Sequence, residues 1–299
     1  HAGAVAVLSA GEDPHLWLEE VMGEKSLEWA RQRNASTQQE LEQVSGFSSL
    51  KDRLSSIYDS KEKIPFVTKR GKYLYNFWRD EQHPKGLWRR TTLAEYKKAS
   101  PRWEIVLDVD ALGKAEGESW VFKGTECLHP TYERCLVMLS RGGADAVVVR
   151  EFDVAKKAFI ADGFSLPEAK VRVSFKDIDT VYVGTNFGPG SLTTSGYPRL
   201  VKEWKRGTPL ADAVLIFEGK DSDVSVSMSR QFDHKHVYDL IVRAPSFFTN
   251  EVFLRENGQN LRIDKPDDAV PDLWDDQLVL KLRSDWTVEG KSFKSGSLL

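Results

Sequence analysis

Ser191, within Gly188-Pro189-Gly190-Ser191-Leu192, is the nearest match in this chain to a nucleophilic serine on a strand-to-helix elbow. That chemistry needs the spacing G-x-S-x-G, which lifts the hydroxyl onto a sharp turn above a sheet, and the glycines here are wrongly spaced. His234 and His236 stand two apart. In a strand they share a face and could form half of a metal site, but no third ligand stands nearby, and a solvated strand entrance is the plainer reading. Cys127, His129 and Cys135 could together supply three ligands, yet zinc sites use closer cysteine pairs. Two cysteines are too few for a disulfide framework and read as two small buried residues on neighbouring strands. No P-loop and no dinucleotide fingerprint occurs. No catalytic residue, no metal site and no cofactor is expected in these residues.

The elements that would position any site change character along the chain. In the first sixty residues Leu27, Ala30, Asn34 and Leu41 are spaced to lie near one helix face. A second helical stretch follows, with Ser49 and Asp52 as a cap-like pair and Leu50, Leu54 and Ile57 on one face. Two short helices with apolar stripes need something to pack against. From Ile64 the apolar period becomes two. Strands are predicted in sets over 72–78, 86–92 and 103–108; 120–122, 134–140 and 146–152; 171–175, 180–185, 199–204 and 213–217; and 224–229, 236–243, 251–255 and 261–263. Asn257-Gly258 is the strongest two-residue hairpin signal. A last set begins near Gln277.

Corresponding second strands begin near Lys72, Arg134, Thr180, His236 and Gln277. Spacing near fifty and irregular suits propeller blades better than a solenoid, whose copies are shorter and stricter. The expected fold is mainly β: a β-propeller with about four and a half blades over 63–299, preceded by a short helical segment over 1–62. The Trp274-Asp275 pair has no second copy and no Gly-His partner, so it is no repeat mark.

The balance of 42 Lys and Arg against 45 Asp and Glu gives net charge −3, which excludes the basic excess of a nucleic-acid binder. No run approaches the eighteen apolar residues of a membrane span. Residues 1–10, small and apolar, could be the remnant of a processed signal peptide or of a tag, but they lack a basic n-region. The expected compartment is the cytoplasm, with a periplasmic or secreted location if they are a signal remnant. Trp78, Trp88 and Trp120 read as blade-packing residues rather than as a carbohydrate platform.

Several stretches together resemble one family. The segment DPHLWLEE at 13–20 resembles the opening of prolyl oligopeptidase-type serine peptidases. YNFW at 75–78 with GLWRR at 86–90 resembles their first blade, and LSRGGAD at 139–145 followed by REFD at 150–153 their second. GFSLPEAK at 163–170, DIDT at 177–180, TSGYPR at 194–199 and WKRGTPL at 204–210 follow in the family's order. Phe175 stands where many relatives carry tryptophan. The resemblance implies a seven-bladed propeller over an α/β-hydrolase domain, with the helical segment packed on the latter. It implies cleavage of short peptides after proline by Ser, Asp and His in that chain order, all in the hydrolase domain. The propeller would admit short proline-containing peptides and exclude folded proteins. This chain would then be inactive alone, with the C-terminal hydrolase domain as its partner. The alternative is a propeller-type binding or scaffold module without catalysis; a sugar- or metal-binding β protein has only the aromatics and His234/His236 behind it.

Arg141, Asp145, Tyr197 and Arg199 sit in or beside Gly-rich connections, where charge is not needed for packing. They are the candidate substrate-gating residues; solvated turn residues are the alternative reading of the same four.

An open array leaves apolar faces and strand edges unpaired. The isolated 299-residue chain is therefore expected to be marginal, aggregation-prone or completed by another chain. Light scattering and thermal melting with a hydrophobic dye check this; a monodisperse monomer that melts cooperatively without dye binding would contradict it.

Overall fold

The computed structural model describes residues 13–20 and 22–299, so the reading of residues 1–10 lies outside the described residues. Two compact units divide between Lys63 and Ile64. In the first, a 3₁₀ turn (Leu16–Glu19) precedes α1 (Glu24–Glu42) and α2 (Phe47–Tyr58). The buried Ser26 hydroxyl donates to the Trp17 carbonyl at 2.8 Å, and Trp17 meets Trp29 edge-on with ring centroids 6.5 Å apart. The start of α2 differs from expectation. Gly46, at φ 90°, opens the helix, and Ser49 lies inside the first turn with its hydroxyl on the Gly46 carbonyl. A glycine takes that left-handed corner without the clash a Cβ would bring. Leu41, Leu50, Leu54 and Ile57 keep about half of their surface in solvent.

The second unit is a series of small antiparallel sheets. The first holds β1 (Thr68–Arg70), β2 (Tyr73–Trp78), β3 (Leu87–Thr92) and β4 (Glu104–Asp108). The second holds β5 (Trp120–Cys127), β6 (Arg134–Arg141), β7 (Val147–Asp153) and β8 (Ala158–Phe159), with β9 (Ser165–Ala169) also on β7. The third holds β10 (Arg172–Asp177), β11 (Thr180–Gly184), β12 (Leu200–Lys205) and β13 (Val214–Glu218). The fourth holds β14 (Ser225–Asp233), β15 (His236–Ser246), β16 (Thr249–Glu256) and β17 (Gln259–Arg262). Two pairs follow: β18 (Val270–Trp274) with β19 (Gln277–Lys281), and β20 (Trp286–Val288) with β21 (Lys291–Phe293). Strands neighbour one another in chain order, which is the meander of a propeller blade, and the unit is a mainly β domain consistent with a β-propeller.

Cores form between successive sheets, and the second strands show why. Along β6, Cys135, Val137 and Leu139 enter the core shared with the first sheet, while Leu136 between them enters the core shared with the third. Along β11, Val181 and Val183 face the second sheet while Tyr182 faces the fourth. Alternate residues of a strand point to opposite faces, so a strand buried on both faces must be apolar at every position. Val181, Val183, Val137, Leu136 and Leu139 are fully buried.

Several expectations need correcting. Cys127 and Cys135 sit directly opposite each other on β5 and β6 and are joined by a disulfide. The reading of two small residues on neighbouring strands holds for their placement but misses the bond between them, and the reading as metal ligands with His129 falls. Cross-strand neighbours bring their Cβ atoms within bonding reach, which residue counting could not show. The last set begins at Val270 rather than near Gln277, because Gln277 opens the second strand of its pair. An α-helix, α3 (Val109–Glu116), links the first two sheets, capped by the Asp108 carboxylate on the Ala111 N–H and closed by Gly117 at φ 68°. Asn257 and Gly258 make the expected tight turn, both with positive φ.

Charge also joins the sheets. The Glu151 side chain on β7 is fully buried, and the Arg206 guanidinium after β12 grips it in a fork, with contacts of 2.7 and 2.9 Å. The Phe164 N–H adds a third bond at 2.8 Å. Arg206→Ala leaves a buried carboxylate without its cation and is expected to cost about 3–5 kcal/mol. Urea melting of the variant checks this, and adding Glu151→Gln should recover part of the loss.

Candidate functional site

The first strands of the four-stranded sheets adjoin, and polar side chains join them in series. Arg70 on β1 donates to Thr125 Oγ1 on β5 at 2.9 Å. Next to it on β5, Glu126 accepts from Ser174 on β10 at 3.2 Å. Ser174 accepts in turn from the Arg230 N–H on β14 at 3.2 Å, and Arg230 Nη1 reaches the Lys176 carbonyl at 2.7 Å. Each link crosses from one sheet to the next. The carboxylate of Asp239 on β15 takes both Nε and Nη2 of Arg230 at 2.8 and 2.7 Å, and Tyr182 donates to the same carboxylate at 2.7 Å.

Burial shifts the titration of these groups. Burial pushes Glu126 above the usual carboxylate range, against the pull of Ser174 and of the Arg70 charge. Burial lowers Arg70. Burial and then the bond to Asp239 raise the Tyr182 phenol, so it stays a donor. A partly desolvated carboxyl and guanidinium side by side can bind polar peptide groups or pass a proton, but they offer no nucleophile.

Arg141 and Asp145 lie at the β6–β7 turn, at the end of the second sheet where β2–β3, β11–β12 and β15–β16 also turn. Arg141 is paired, to Glu118 and Glu168, each at 2.9 Å, and it covers the Trp120 ring. Asp145 is exposed. Tyr197 is half-buried beneath Lys170, whose Nζ stands 4.2 Å from the ring centroid. Arg199 spans the loop, donating to the Gly190 and Gly219 carbonyls and pairing with Glu218 at 2.6 Å. Glu168 and Lys170, two apart, therefore link the Arg141 turn to the Tyr197 loop. Arg199 works as a brace within its own sheet and borders an open 450 Å³ pocket with Gly190, Leu192 and Lys220. The first-strand residues Arg70, Glu126, Ser174 and Arg230 were absent from the sequence reading. Polar residues inside otherwise apolar strands were the available signal.

Ser191 is buried, donating to the Gly188 carbonyl at 2.6 Å and accepting from the Phe187 N–H at 2.9 Å. It closes a turn and has no histidine beside it. His234 pairs with Asp233 at 3.1 Å and His236 with Asp275 at 3.3 Å. The described residues hold no metal-binding group of three or more His, Cys, Asp or Glu, and none of their helices is long and apolar enough to cross a membrane.

The prolyl oligopeptidase N-terminal β-propeller domain family matches residues 8–289. An uncharacterized peptidase of Sinorhizobium fredii is 40% identical over 297 residues, covering 96% of this chain and 41% of its own length. An uncharacterized peptidase of Rickettsia prowazekii is 31% identical over 299 residues, covering 95% and 41%. Among solved structures, a post-proline cleaving enzyme from Rickettsia typhi superposes with TM-score 0.87 at 30% identity, over 94% of this chain and 43% of that one. The chain thus spans about two fifths of the length of the curated relatives it matches.

The Tyr182–Asp239–Arg230 group sets a measurable order of losses. Tyr182→Phe removes one bond to a charged acceptor and is expected to cost about 1.5–3 kcal/mol. Asp239→Ala strands the Arg230 guanidinium and is expected to cost more, about 3–5 kcal/mol. Denaturant titration of both variants checks the order.

Proposed function

Since this chain belongs to the family of the prolyl oligopeptidase N-terminal β-propeller domain, we propose that it is the propeller portion of a serine peptidase that cuts short peptides on the C-terminal side of proline. On this reading the chain supplies about four and a half of seven blades. A C-terminal α/β-hydrolase domain supplies the serine nucleophile, the histidine base and the aspartate that orients it. The helical segment over 1–62 lays its half-exposed leucines on that domain, and the propeller acts as the size filter.

The observation that carries the reading is the match over residues 8–289 together with relatives of more than twice this length. On this reading the first-strand residues Arg70, Glu126, Ser174 and Arg230 line the filter's passage and offer an unfolded peptide backbone bonds that a folded protein cannot reach. Arg141, Asp145, Tyr197 and Arg199 gate at the loop end, with Arg199 acting through the loop it braces. The Cys127–Cys135 disulfide supports the periplasmic or secreted alternative over the cytoplasmic one, because such bonds persist in oxidising compartments.

Reading the coding frame beyond the Leu299 codon, then expressing the encoded protein, tests the proposal. The expected protein carries G-x-S-x-G followed by Asp and His, and it cleaves short Gly-Pro-X peptides but not folded proteins. The 299-residue chain alone is expected to cleave neither. In the whole protein Arg199→Ala should change KM more than kcat for peptides. A frame without the elbow, or a protein inert towards proline peptides, would remove the reading.

A further inference from the structure

A 440 Å³ pocket opens between the first and second sheets, at the end opposite the gating loops. One wall is the β1–β2 hairpin with Arg70, Lys72, Tyr73 and Tyr75; the other is the β5–β6 loop with Tyr132. Arg90 from β3 and Glu133 complete the charged groups around it. The disulfide joins Cys127 and Cys135 at the base of the second wall, so residues 128–134 leave and return through one clamped point.

The cations here are unequally satisfied. Arg90 is spoken for: it grips Glu104 at 2.7 and 3.1 Å and touches the Tyr75 hydroxyl at 3.3 Å. Arg70 donates only to neutral groups, Thr125 Oγ1 and the Thr125 carbonyl, and the Glu126 charge acts on it without forming an ion pair. Glu126, the nearest acid on the adjoining strand, is itself held towards its neutral form by burial. Lys72, at the hairpin tip, lies 5.3 Å from the Tyr73 ring centroid, and Arg70 lies 5.4 Å from that of Tyr75. Ring faces attract cations weakly, much less than a carboxylate does. Glu133 is exposed and forms no ion pair among the described residues. With Arg90 neutralised by Glu104, the remaining wall carries Arg70 and Lys72 against Glu133.

We infer that this pocket is a binding site for the carboxylate of a small aromatic or apolar acid, seated between Arg70 and Lys72 with its body against Tyr73, Tyr75 and Tyr132. A guanidinium offers a planar fork matched to a carboxylate, and the tyrosine rings supply apolar faces beside it. The C-terminal residue of a peptide has this chemistry. The site shares Arg70 with the first-strand series of the proposed filter, but its test reads binding and does not depend on peptidase activity.

The experiment is calorimetric titration of the whole protein encoded by the frame that carries this chain, with hippurate, with hippuramide as the neutral twin and inorganic phosphate as the competing anion. Hippurate is expected to bind saturably in the millimolar range, and hippuramide at least ~10-fold more weakly, since losing one charge-assisted contact is worth roughly that factor. Lys72→Ala, an exposed hairpin residue whose loss leaves the fold intact, should weaken hippurate several-fold, and Arg70→Gln should weaken it by about tenfold or more. Equal binding of hippurate and hippuramide, no saturation by hippurate, binding of phosphate in its place, or hippurate affinity unchanged in Lys72→Ala would each overturn the inference.

Discussion

Everything in the β unit depends on how one four-stranded sheet is held against the next. The apolar part of that contact comes from strands buried on both faces. Because β6 and β11 send alternate residues into two different cores, each is a shared wall. A change in Leu136 is felt by the third sheet, and a change in Val137 by the first. Apolar contact alone is non-directional and would tolerate one sheet sliding over its neighbour. The hydrogen bonds between first strands remove that freedom. Arg70 to Thr125, Ser174 to Glu126 and Arg230 to Ser174 each connect a defined position on one sheet to a defined position on the next.

The charged joints serve the same end further out. Glu151 with Arg206 ties the second sheet to the third, and Tyr182 with Asp239 ties the third to the fourth. Taking such charges out of water is costly, and a well-packed apolar pair of the same volume would often be as stable. What the ion pairs add is direction: a guanidinium fork accepts a carboxylate in few orientations. The arrangement therefore fixes the angle between sheets at the expense of some stability.

The sequence reading located most strands because burial on both faces leaves continuous apolar runs such as TVYVG at 180–184, and alternation marks the half-buried ones. It placed the second strands of all five sets, near residues 72, 134, 180, 236 and 277, from runs in which apolar residues predominate or alternate. It passed over β18, where Pro271 and Asp272 disguise a strand at a sheet edge. It also passed over α3, eight residues whose only marks are the Asp108 cap and Gly117. The Cys127–Cys135 bond was hidden for a different reason. Strand register decides whether two cysteines eight apart face each other, and register belongs to the pairing, not to composition. For the same reason the polar first-strand series was illegible: its members are 55, 48 and 56 residues apart in the chain and meet only when the sheets stack.

The placement of reactive groups bears on what the unit can do. Ser191 spends its hydroxyl on its own turn, and His234 and His236 each face an aspartate at strand ends. A nucleophile, a base and an orienting acid must meet within hydrogen-bond reach before acyl transfer is possible, and these residues stand on different loops with different partners. The polar groups that do converge, Arg70, Glu126, Ser174 and Arg230, contain cations, an acid and one hydroxyl already engaged by its neighbours. The positions where one sheet hands a hydrogen bond to the next are therefore where the polar groups of the unit converge.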